Sequence, residues 1–244
     1  FSEGFACVVS NGKGGFIDTK GKMVVPCVYD AADVVLGNYS FSEGFARVKS
    51  NDKWGFIDTK GEMVIPCVYD EAWSFSEGFA NVKSNDKLGS IDTKGKMVIP
   101  CVYDYASWFS EGFACVVSNG KGGFIDTKGK MVIPCVYDYA SWFSEGFASV
   151  ISNDKWGFID TKGEMVIPCV YDSAQDFSEG FASVKSNDKW GFIDTKGKIV
   201  IPCVYDSAQD FSEGFASVKS NDKWGVINQS GEFVIPPIAD WIWW

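Results

Sequence analysis

The chain has 244 residues, of which 46% are hydrophobic and 16% aromatic, a composition typical of folded proteins and not of disordered ones. Its formal net charge is −10 and Arg47 is its only arginine, so the sequence disfavours nucleic acids and anionic membranes as partners. No apolar run reaches the roughly 18 residues that a membrane-spanning helix needs, so we expect no membrane insertion.

The motif F-S-E-G-F-A occurs seven times along the chain. Successive copies are 34 residues apart, except that the first step is 40 residues. A fixed period of this size is the signature of a repeat architecture, in which each unit packs on its neighbours. We therefore interpret the chain as a single repeat array over residues 1–244, with units at 1–40, 41–74, 75–108, 109–142, 143–176, 177–210 and 211–244.

The second unit predicts a tight hairpin. Strands are expected at Phe45–Ser50 and Lys53–Asp58, joined by a two-residue Asn-Asp loop. In the first and fourth units this loop is Asn-Gly, whose two residues readily adopt the left-handed conformation that such turns need. A two-residue loop also sets the register, which places Lys49 opposite Trp54.

A third strand is expected at Glu62–Tyr69, after a turn that ends in Gly61. It is apolar on both faces, which predicts that both are covered, and Pro66 marks an edge, a bend or a strand end because it cannot donate to a ladder. The predicted fold class is all-β: seven three-stranded antiparallel meander repeats in an open, superhelical or solenoid-like array. The alternative is a closed, propeller-like ring.

Two features interrupt the regular array. The longer first step corresponds to an insertion between Ala32 and Phe41, which we expect to form a surface bulge that preserves the stacking, because lengthening a loop costs little. The last unit ends in an apolar cluster that includes Trp241, Trp243 and Trp244. These tryptophans are expected to make end-to-end contacts between copies, and the alternative is that they fold back as a cap.

The eight cysteines do not predict a disulfide framework. Six are copies of one repeat position, and Cys7 and Cys115 are copies of a second. With three strands per unit, equivalent sulfurs would lie roughly 14 Å apart, whereas a disulfide needs Cα atoms within about 7 Å. We expect free thiols that act as small hydrophobic groups. The chain has no histidine and no C-x-x-C motif, so no metal site is predicted.

The sequence contains no catalytic or cofactor-binding constellation. The lack of histidine excludes Ser-His-Asp and Cys-His arrangements. Turn aspartates such as Asp58 recur at the same position in successive units, which favours a structural role. We therefore predict no enzyme, no catalytic residues and no cofactor. Glycosylation sequons at Asn38 and Asn228 matter only if the source glycosylates secreted proteins.

Aromatic residues in the connectors before F-S-E-G-F form the candidate interaction surface. Such rings stack on sugars or pack against a partner protein. The alternative is that they cover the edge of the core between units. The candidates are Trp73, Tyr105, Trp108, Tyr139 and Trp142.

The run Lys53–Asp58, followed by Gly61, Val64-Ile65-Pro66 and Tyr69-Asp70, resembles the bacterial WG (or KWG) repeat family. The resemblance covers all seven units. Two departures stand out: the family's tryptophan is replaced at Gly14, Leu88 and Gly122, and its frequent second proline is replaced by cysteine at Cys67 and its copies. The resemblance implies an all-β repeat, found mostly in bacterial proteins that are often secreted or surface-associated, and no established activity.

These observations predict a non-catalytic structural or interaction module with an extended surface, self-assembling or adhesive at the cell surface. The alternative is a carbohydrate-binding module that uses the connector aromatics. Expected partners are a protein, a second copy or a glycan, and the expected location is secreted or cell-surface, with the cytoplasm as the alternative. The chain starts at Phe1 with neither an initiator methionine nor a signal peptide, which we interpret as a fragment or processed product of a longer protein.

Overall fold

The computed structural model describes residues 1–30 and 40–242, and this part of the chain consists of β-strands and turns. It contains no helix that is long and apolar enough to cross a membrane. The predicted bulge of the insertion, the sequon at Asn38, and Trp243 and Trp244 lie outside the described residues.

The strands recur with the repeat. In chain order they are β1 (Phe5–Ser10), β2 (Lys13–Asp18), β3 (Met23–Asp30), β4 (Phe41–Ser42), β5 (Phe45–Ser50), β6 (Lys53–Asp58), β7 (Met63–Tyr69), β8 (Glu71–Ala72), β9 (Phe79–Ser84), β10 (Lys87–Asp92), β11 (Met97–Tyr103), β12 (Tyr105–Ala106), β13 (Phe113–Ser118), β14 (Lys121–Asp126), β15 (Met131–Tyr137), β16 (Tyr139–Ser144), β17 (Phe147–Ser152), β18 (Lys155–Asp160), β19 (Met165–Tyr171), β20 (Ser173–Ala174), β21 (Phe181–Ser186), β22 (Lys189–Asp194), β23 (Ile199–Tyr205), β24 (Ser207–Ala208), β25 (Phe215–Ser220), β26 (Lys223–Asn228) and β27 (Phe233–Ala239).

The chain divides into two compact units, the first of residues 1–109, 114–119 and 125–130, and the second of the remainder. The first unit holds the sheets β1-β2-β3, β4-β5-β6-β7 and β8-β9-β10-β11. The second holds β16-β17-β18-β19, β20-β21-β22-β23 and β24-β25-β26-β27. All the pairings within these sheets are antiparallel, and each sheet is open with two edge strands, in agreement with the predicted all-β repeat.

Three long strands per repeat are confirmed, and a short fourth strand was not predicted. It comes from the connector of the preceding repeat and pairs with the first long strand, as where Glu71 and Ala72 face Lys83 and Val82. The first sheet has three strands, without a short strand on the β1 edge.

The predicted hairpin register is confirmed. Lys49 pairs with Trp54 across β5 and β6. The loop residues Asn51 and Asp52 have φ values of 52° and 60°, as expected for a turn whose two central residues are left-handed. The Arg47 guanidinium and the Lys49 ammonium lie 5.4 Å and 5.9 Å from the centre of the Trp54 ring, which are cation–π distances.

A bulge explains the glycine that follows the tryptophan position. Trp54 pairs with Tyr69 and Phe56 pairs with Ile65, so three residues of β7 face the single residue Gly55. A Cβ atom on Gly55 would lie 2.5 Å from the carbonyl oxygen of Ile65, where no side chain fits. The bulge includes Pro66, and β7 is an edge strand of its sheet, which is one of the positions predicted for this proline.

The expectation that the third strand is covered on both faces is wrong. Val68 in β7 is 55% exposed, and Met63 is also exposed. The bulge turns the middle of this strand outward, so that Ile65, at 2% exposure, points to the core while Val68 faces solvent. The strand is therefore half-buried in spite of its apolar sequence.

The core runs from one repeat into the next within each unit. The phenylalanine that opens a repeat packs against phenylalanine of the preceding one, as where the ring centre of Phe41 lies 4.5 Å from Phe5 and 5.0 Å from Phe16. Phe41 is 2% exposed, and Val48 and Ile57 are fully buried. A repeat thus completes its core with the first residue of its successor.

The eight cysteines are free thiols. The Cys67 thiol donates a weak bond to the carbonyl oxygen of Val48 at 3.7 Å, and burial raises its pKa. Cys7 and Cys27 share the acceptor Val8, at 3.9 Å and 3.8 Å. The spacing between equivalent positions in different repeats does not reveal that two cysteines of one repeat share an acceptor.

Candidate functional site

The F-S-E-G-F-A motif forms a second tight hairpin, which was not predicted. Phe41 and Ser42 pair with Ala46 and Phe45. The two loop residues, Glu43 and Gly44, have φ values of 53° and 80°. The left-handed conformation is unfavourable for a glutamate. Because the glutamate of the motif adopts it in successive repeats, we expect a contact that offsets this cost.

That contact is a carboxylate clasp between consecutive repeats. The two carboxylate oxygens of Glu43 accept hydrogen bonds from the amides of Glu77 and Gly78, at 2.7 Å and 2.8 Å. Successive amides in such a turn form a concave site that favours an anion, and the bond is strengthened by the charge. Clasps of this kind are made by Glu3, Glu43, Glu111 and Glu145, and Glu179 accepts from the amide of Gly214 at 2.8 Å.

The aspartates of the second turn have the structural role that their repetition predicted. One carboxylate oxygen of Asp58 accepts bonds from the amides of Lys60 and Glu62, both at 2.9 Å. The same pair of bonds recurs at Asp18, Asp92, Asp126, Asp160 and Asp194. In the last repeat Asn228 takes this place, and its amide nitrogen donates to Glu232 at 3.0 Å.

A third set of carboxylates joins repeats through ion pairs. Asp70 is paired with Lys53 of its own repeat and accepts a bond from the amide of Asn85 in the next repeat at 2.8 Å. The hydrogen bond from Lys53 holds the pKa of Asp70 below its ordinary value, and the Asn85 amide adds to this. The equivalent pairs with lysine occur at Asp30, Asp104, Asp138, Asp172, Asp206 and Asp240.

Three of the five predicted surface aromatics line one pocket in the first unit. Trp73, Tyr105 and Trp108 border a cavity of about 180 Å³, whose other lining residues include Leu88 and Asn81. Tyr105 is 51% exposed and Trp108 is 41% exposed. The Asn81 amide is buried and donates to the carbonyl oxygen of Ala106 at 3.1 Å, which holds the pocket floor in place.

The other two predicted aromatics lie in a second pocket, in the second unit. Tyr139 and Trp142 border a cavity of about 270 Å³ together with Trp156. The rings of Tyr139 and Trp156 are tilted at 56° with their centres 5.4 Å apart, and Trp142 is 57% exposed. The pocket therefore offers aromatic faces to solvent.

Polar groups line the same pocket. Asp176 accepts bonds from the buried hydroxyls of Ser149 and Ser141, at 2.8 Å and 3.1 Å. Asp210 accepts from Ser183 at 3.2 Å. Although Asp210 as a residue is exposed, protein atoms surround its carboxyl, and this partial burial raises its pKa; the Ser183 hydroxyl opposes the rise and the Asp176 carboxylate adds to it.

The predicted aromatics thus line two pockets, one in each unit. Trp156 and Asp176 were not among the predicted site residues. Strand register would have found Trp156, because Ile151 pairs with Tyr139 on one side and with Trp156 on the other. Trp241, the described member of the predicted end-to-end contact, is 69% exposed. In residues 1–30 and 40–242, no group of three or more cysteine or acidic side chains is placed to hold a metal.

The repeat profile described as a WG containing repeat matches the chain at residues 15–54, 54–87, 89–121, 123–156, 156–190, 190–224 and 224–243. The chain belongs to the WG repeat family. The match confirms the resemblance drawn from Lys53–Asp58 and its copies. In this WG repeat array the glycine of the Trp-Gly motif lies opposite the bulge, where a side chain would clash with the backbone. This explains why the motif contains a glycine.

Comparison with solved structures concerns the fold alone. A eukaryotic initiation factor is similar, with 14% identity over 95% of this chain and 73% of its own and a TM-score of 0.52. Dihydro-heme d1 dehydrogenase NirN matches with 16% identity over 96% of this chain and 64% of its own, at a TM-score of 0.44. Hsv2 of Kluyveromyces lactis matches with 10% identity over 78% of this chain and 73% of its own, at a TM-score of 0.43. No curated protein matches the WG repeat chain.

Proposed function

We propose that this WG repeat chain is a non-catalytic binding module and that its two aromatic pockets bind sugar rings. The observation that carries the proposal is the second pocket, where Tyr139, Trp142 and Trp156 present aromatic faces beside the polar groups of Ser149 and Asp176. The apolar faces of sugar rings stack on aromatic rings, and their hydroxyls bond to carboxylates and hydroxyls.

The acidic side chains support a non-catalytic role. Carboxylates such as Glu43, Asp58 and Asp70 hold backbone amides or a lysine, in the same way in successive repeats. Acid and base catalysis by two carboxyls requires environments that separate their pKa values, which repeated equal environments do not provide. Asp210 is the exception, because partial burial raises its pKa and the Asp176 carboxylate adds to the rise, so a turnover assay belongs to the test.

The test is binding of the chain to an array of immobilised glycans, with the double variant Tyr139→Ser and Trp142→Ser. We expect the unmodified chain to bind at least one glycan class and the variant to bind it at least tenfold more weakly. The control is Val170→Ser with Val204→Ser, which removes two exposed apolar side chains outside the pocket. Absence of binding, or equal binding by the pocket variant, would refute the sugar site, and turnover of a bound glycan would refute the non-catalytic role.

Adhesion and a secreted or cell-surface location remain predictions, which rest on the family resemblance. The sugar site is consistent with both, because glycans are abundant on cell surfaces. Staining of intact cells that produce the full-length protein, with and without permeabilisation, tests the location. A signal that appears only after permeabilisation would refute it and leave the cytoplasmic alternative.

A further inference from the structure

The second pocket combines aromatic faces with negative charge. Its rings come from Tyr139, Trp142 and Trp156, and its lining also includes the carboxylates of Asp176 and Asp210. No lysine or arginine is among the described residues that line it. Neither carboxylate forms an ion pair within residues 1–30 and 40–242. The pocket therefore carries an uncompensated negative charge when its carboxyls are ionised.

Other aspartates of the same connectors are compensated by lysine. Asp172 stands four positions before Asp176 and pairs with Lys155, and Asp206 has the same kind of partner. Asp176 and Asp210 accept hydrogen bonds from serine hydroxyls instead. A hydroxyl orients a carboxylate but does not neutralise it. These two carboxylates thus keep their charge available for a cationic ligand.

The acidic position is a variable one in the repeat. Asp176 and Asp210 occupy the position that is Trp108 and Trp142 in the two preceding repeats and Ser74 before them. Because the fold accepts serine, tryptophan and aspartate at this position, the stacking of repeats does not require an acid there. The pocket receives the ring of Trp142 from one connector and its carboxylates from the two connectors that follow.

Partial burial makes the charge of the pocket unfavourable as long as no cation is bound. Protein atoms surround the Asp210 carboxyl and raise its pKa, and the Asp176 carboxylate adds to the rise. A cation bound beside the two carboxylates offsets both the burial and the repulsion. Aromatic faces attract cations as well, because the π-system is negative at the face of the ring. The rings and the carboxylates therefore favour the same kind of ligand.

The first pocket is a neutral counterpart. Trp73, Tyr105 and Trp108 line it, Asn81 and Ser107 add polar groups, and no acidic side chain is among the described residues of its lining. This pocket can stack on a sugar ring, but it has no charge with which to select a cationic one.

We infer that the second pocket selects sugars that carry a protonated amino group, with the sugar ring on the aromatic faces and the ammonium group beside Asp176 and Asp210. The inference rests on the proposed sugar-binding function and specifies its ligand class. A 2-amino sugar fits because it presents an apolar ring face and a cation close together. Acetylation of the amine removes the charge and keeps the ring, so the N-acetylated sugar is the matched ligand for comparison.

The experiment measures the affinity of the 244-residue chain for a glucosamine tetramer and for an N-acetylglucosamine tetramer by calorimetry. A weakly acidic buffer keeps the sugar amine protonated. We expect the glucosamine tetramer to bind at least tenfold more tightly. Tyr105→Ser with Trp108→Ser removes the rings of the first pocket and should keep this preference. Tyr139→Ser with Trp142→Ser leaves only the first pocket intact and should show no preference.

Substitution of the two carboxylates tests the role of the charge. Asp176→Asn with Asp210→Asn removes the charge and keeps oxygens that accept from the serine hydroxyls. The preference for the glucosamine tetramer should fall below about twofold. Binding of the N-acetylglucosamine tetramer should persist, which shows that the pocket remains folded. The control Asp154→Asn removes a charge from an exposed loop of the same unit outside the pocket and should keep the preference.

Three results overturn the inference. Equal affinities of the unmodified chain for the two tetramers do so and leave the sugar site intact, as does binding to other glycans but to neither tetramer. A preference that survives the loss of both carboxylates, or of the Tyr139 and Trp142 rings, does so because the net charge of the whole chain then explains it. A chain that binds no glycan at all refutes the proposed function and this inference with it.

Discussion

The carboxylate of Glu145 accepts a hydrogen bond from the amide of Glu179, which is the same residue one repeat later, at 2.7 Å. Its second oxygen accepts from the amide of Gly180 at 2.8 Å. Since both amides belong to a turn with left-handed residues, the clasp offsets part of the conformational cost of that turn. One side chain thus couples the local conformation of one repeat to its stacking on the preceding one.

Replacing Glu145 by alanine should therefore destabilise the array. A net contribution of about 1 kcal/mol is expected for the two bonds, at the low end of the range because the glutamate is exposed. This corresponds to a fall of about 2–4 °C in the melting temperature of a chain of this size. The control Glu164→Ala removes an exposed glutamate that makes no clasp and should change the melting temperature little. Equal effects of the two variants would contradict the role of the clasp.

Replacement by alanine should lower the free energy of unfolding more at Gly191 than at Gly146. A Cβ atom on Gly191 would lie 2.5 Å from the carbonyl oxygen of Ile201, inside the bulge. Gly146 has open space around its Cβ position but a φ of 81°. Gly191→Ala should cost about 3 kcal/mol or more, since backbone must move, whereas Gly146→Ala should cost about 1 kcal/mol, the cost of a left-handed alanine.

Urea denaturation of both variants checks this order. A larger loss for Gly146→Ala would show that backbone conformation, and not the close approach across the bulge, decides why a glycine is needed. Similar losses for both would show that the bulge relaxes easily.

The local features of the fold were predictable from the sequence. The loop of two residues determines the pairing of Lys49 with Trp54, because a hairpin of that length allows one register. Pro66 indicated an edge, a bend or a strand end, because it cannot donate within a ladder, and β7 is an edge strand. Both arguments concern residues that are close along the chain and depend on backbone geometry alone.

The contacts between repeats were not predictable in the same way. The clasp between Glu43 and Glu77 depends on how far one sheet rotates and shifts relative to the next, which no short window of sequence encodes. The short fourth strand was missed because two residues, such as Glu71-Ala72, give no period to detect. The placement of the aromatics in two pockets also depends on a contact between repeats, because each connector pairs with the sheet of the next repeat.

The Asp172 carboxylate should contribute to stability at neutral pH and not in strong acid. Its hydrogen bond with Lys155 holds its pKa below the ordinary value of 3.8, and its pKa returns to that value on unfolding. A carboxyl whose folded pKa is lowered adds stability above the unfolded pKa, and this is lost as the pH falls through the folded pKa. Asp172→Asn should therefore lower the melting temperature at pH 7 by a small amount, because the pair is exposed, and this effect should shrink as the pH falls below 3.8.

Melting temperatures measured from pH 2 to pH 7 check this prediction. The control Asp154→Asn removes a charge from an exposed loop residue that makes no ion pair in the described part of the chain. Its difference from the unmodified protein should vary less with pH than that of Asp172→Asn. An effect of Asp172→Asn that is equally large at both ends of the range would show that the packing of the side chain matters and its charge does not.

Asp210 should show the opposite dependence. Partial burial raises its pKa above the ordinary value of 3.8, and the Asp176 carboxylate adds to the rise although the Ser183 hydroxyl opposes it. A carboxyl whose folded pKa is raised reduces stability as the pH rises from the unfolded pKa through the folded pKa, because the folded state then has to hold a charge that it disfavours. Asp210→Asn removes that charge and keeps an oxygen that accepts from Ser183. It should therefore raise the melting temperature at pH 7 and leave it unchanged well below pH 3.8.

Asp206→Asn is the matched control, because the pKa of Asp206 is lowered by Lys189 and its loss should destabilise the protein at pH 7. If the charge of Asp176 contributes to the effect, Asp210→Asn should gain less in a background of Asp176→Asn, since residues in one network are not additive. A melting temperature that falls at pH 7 in Asp210→Asn would show that the carboxylate is held favourably in the pocket and that its burial is not a penalty.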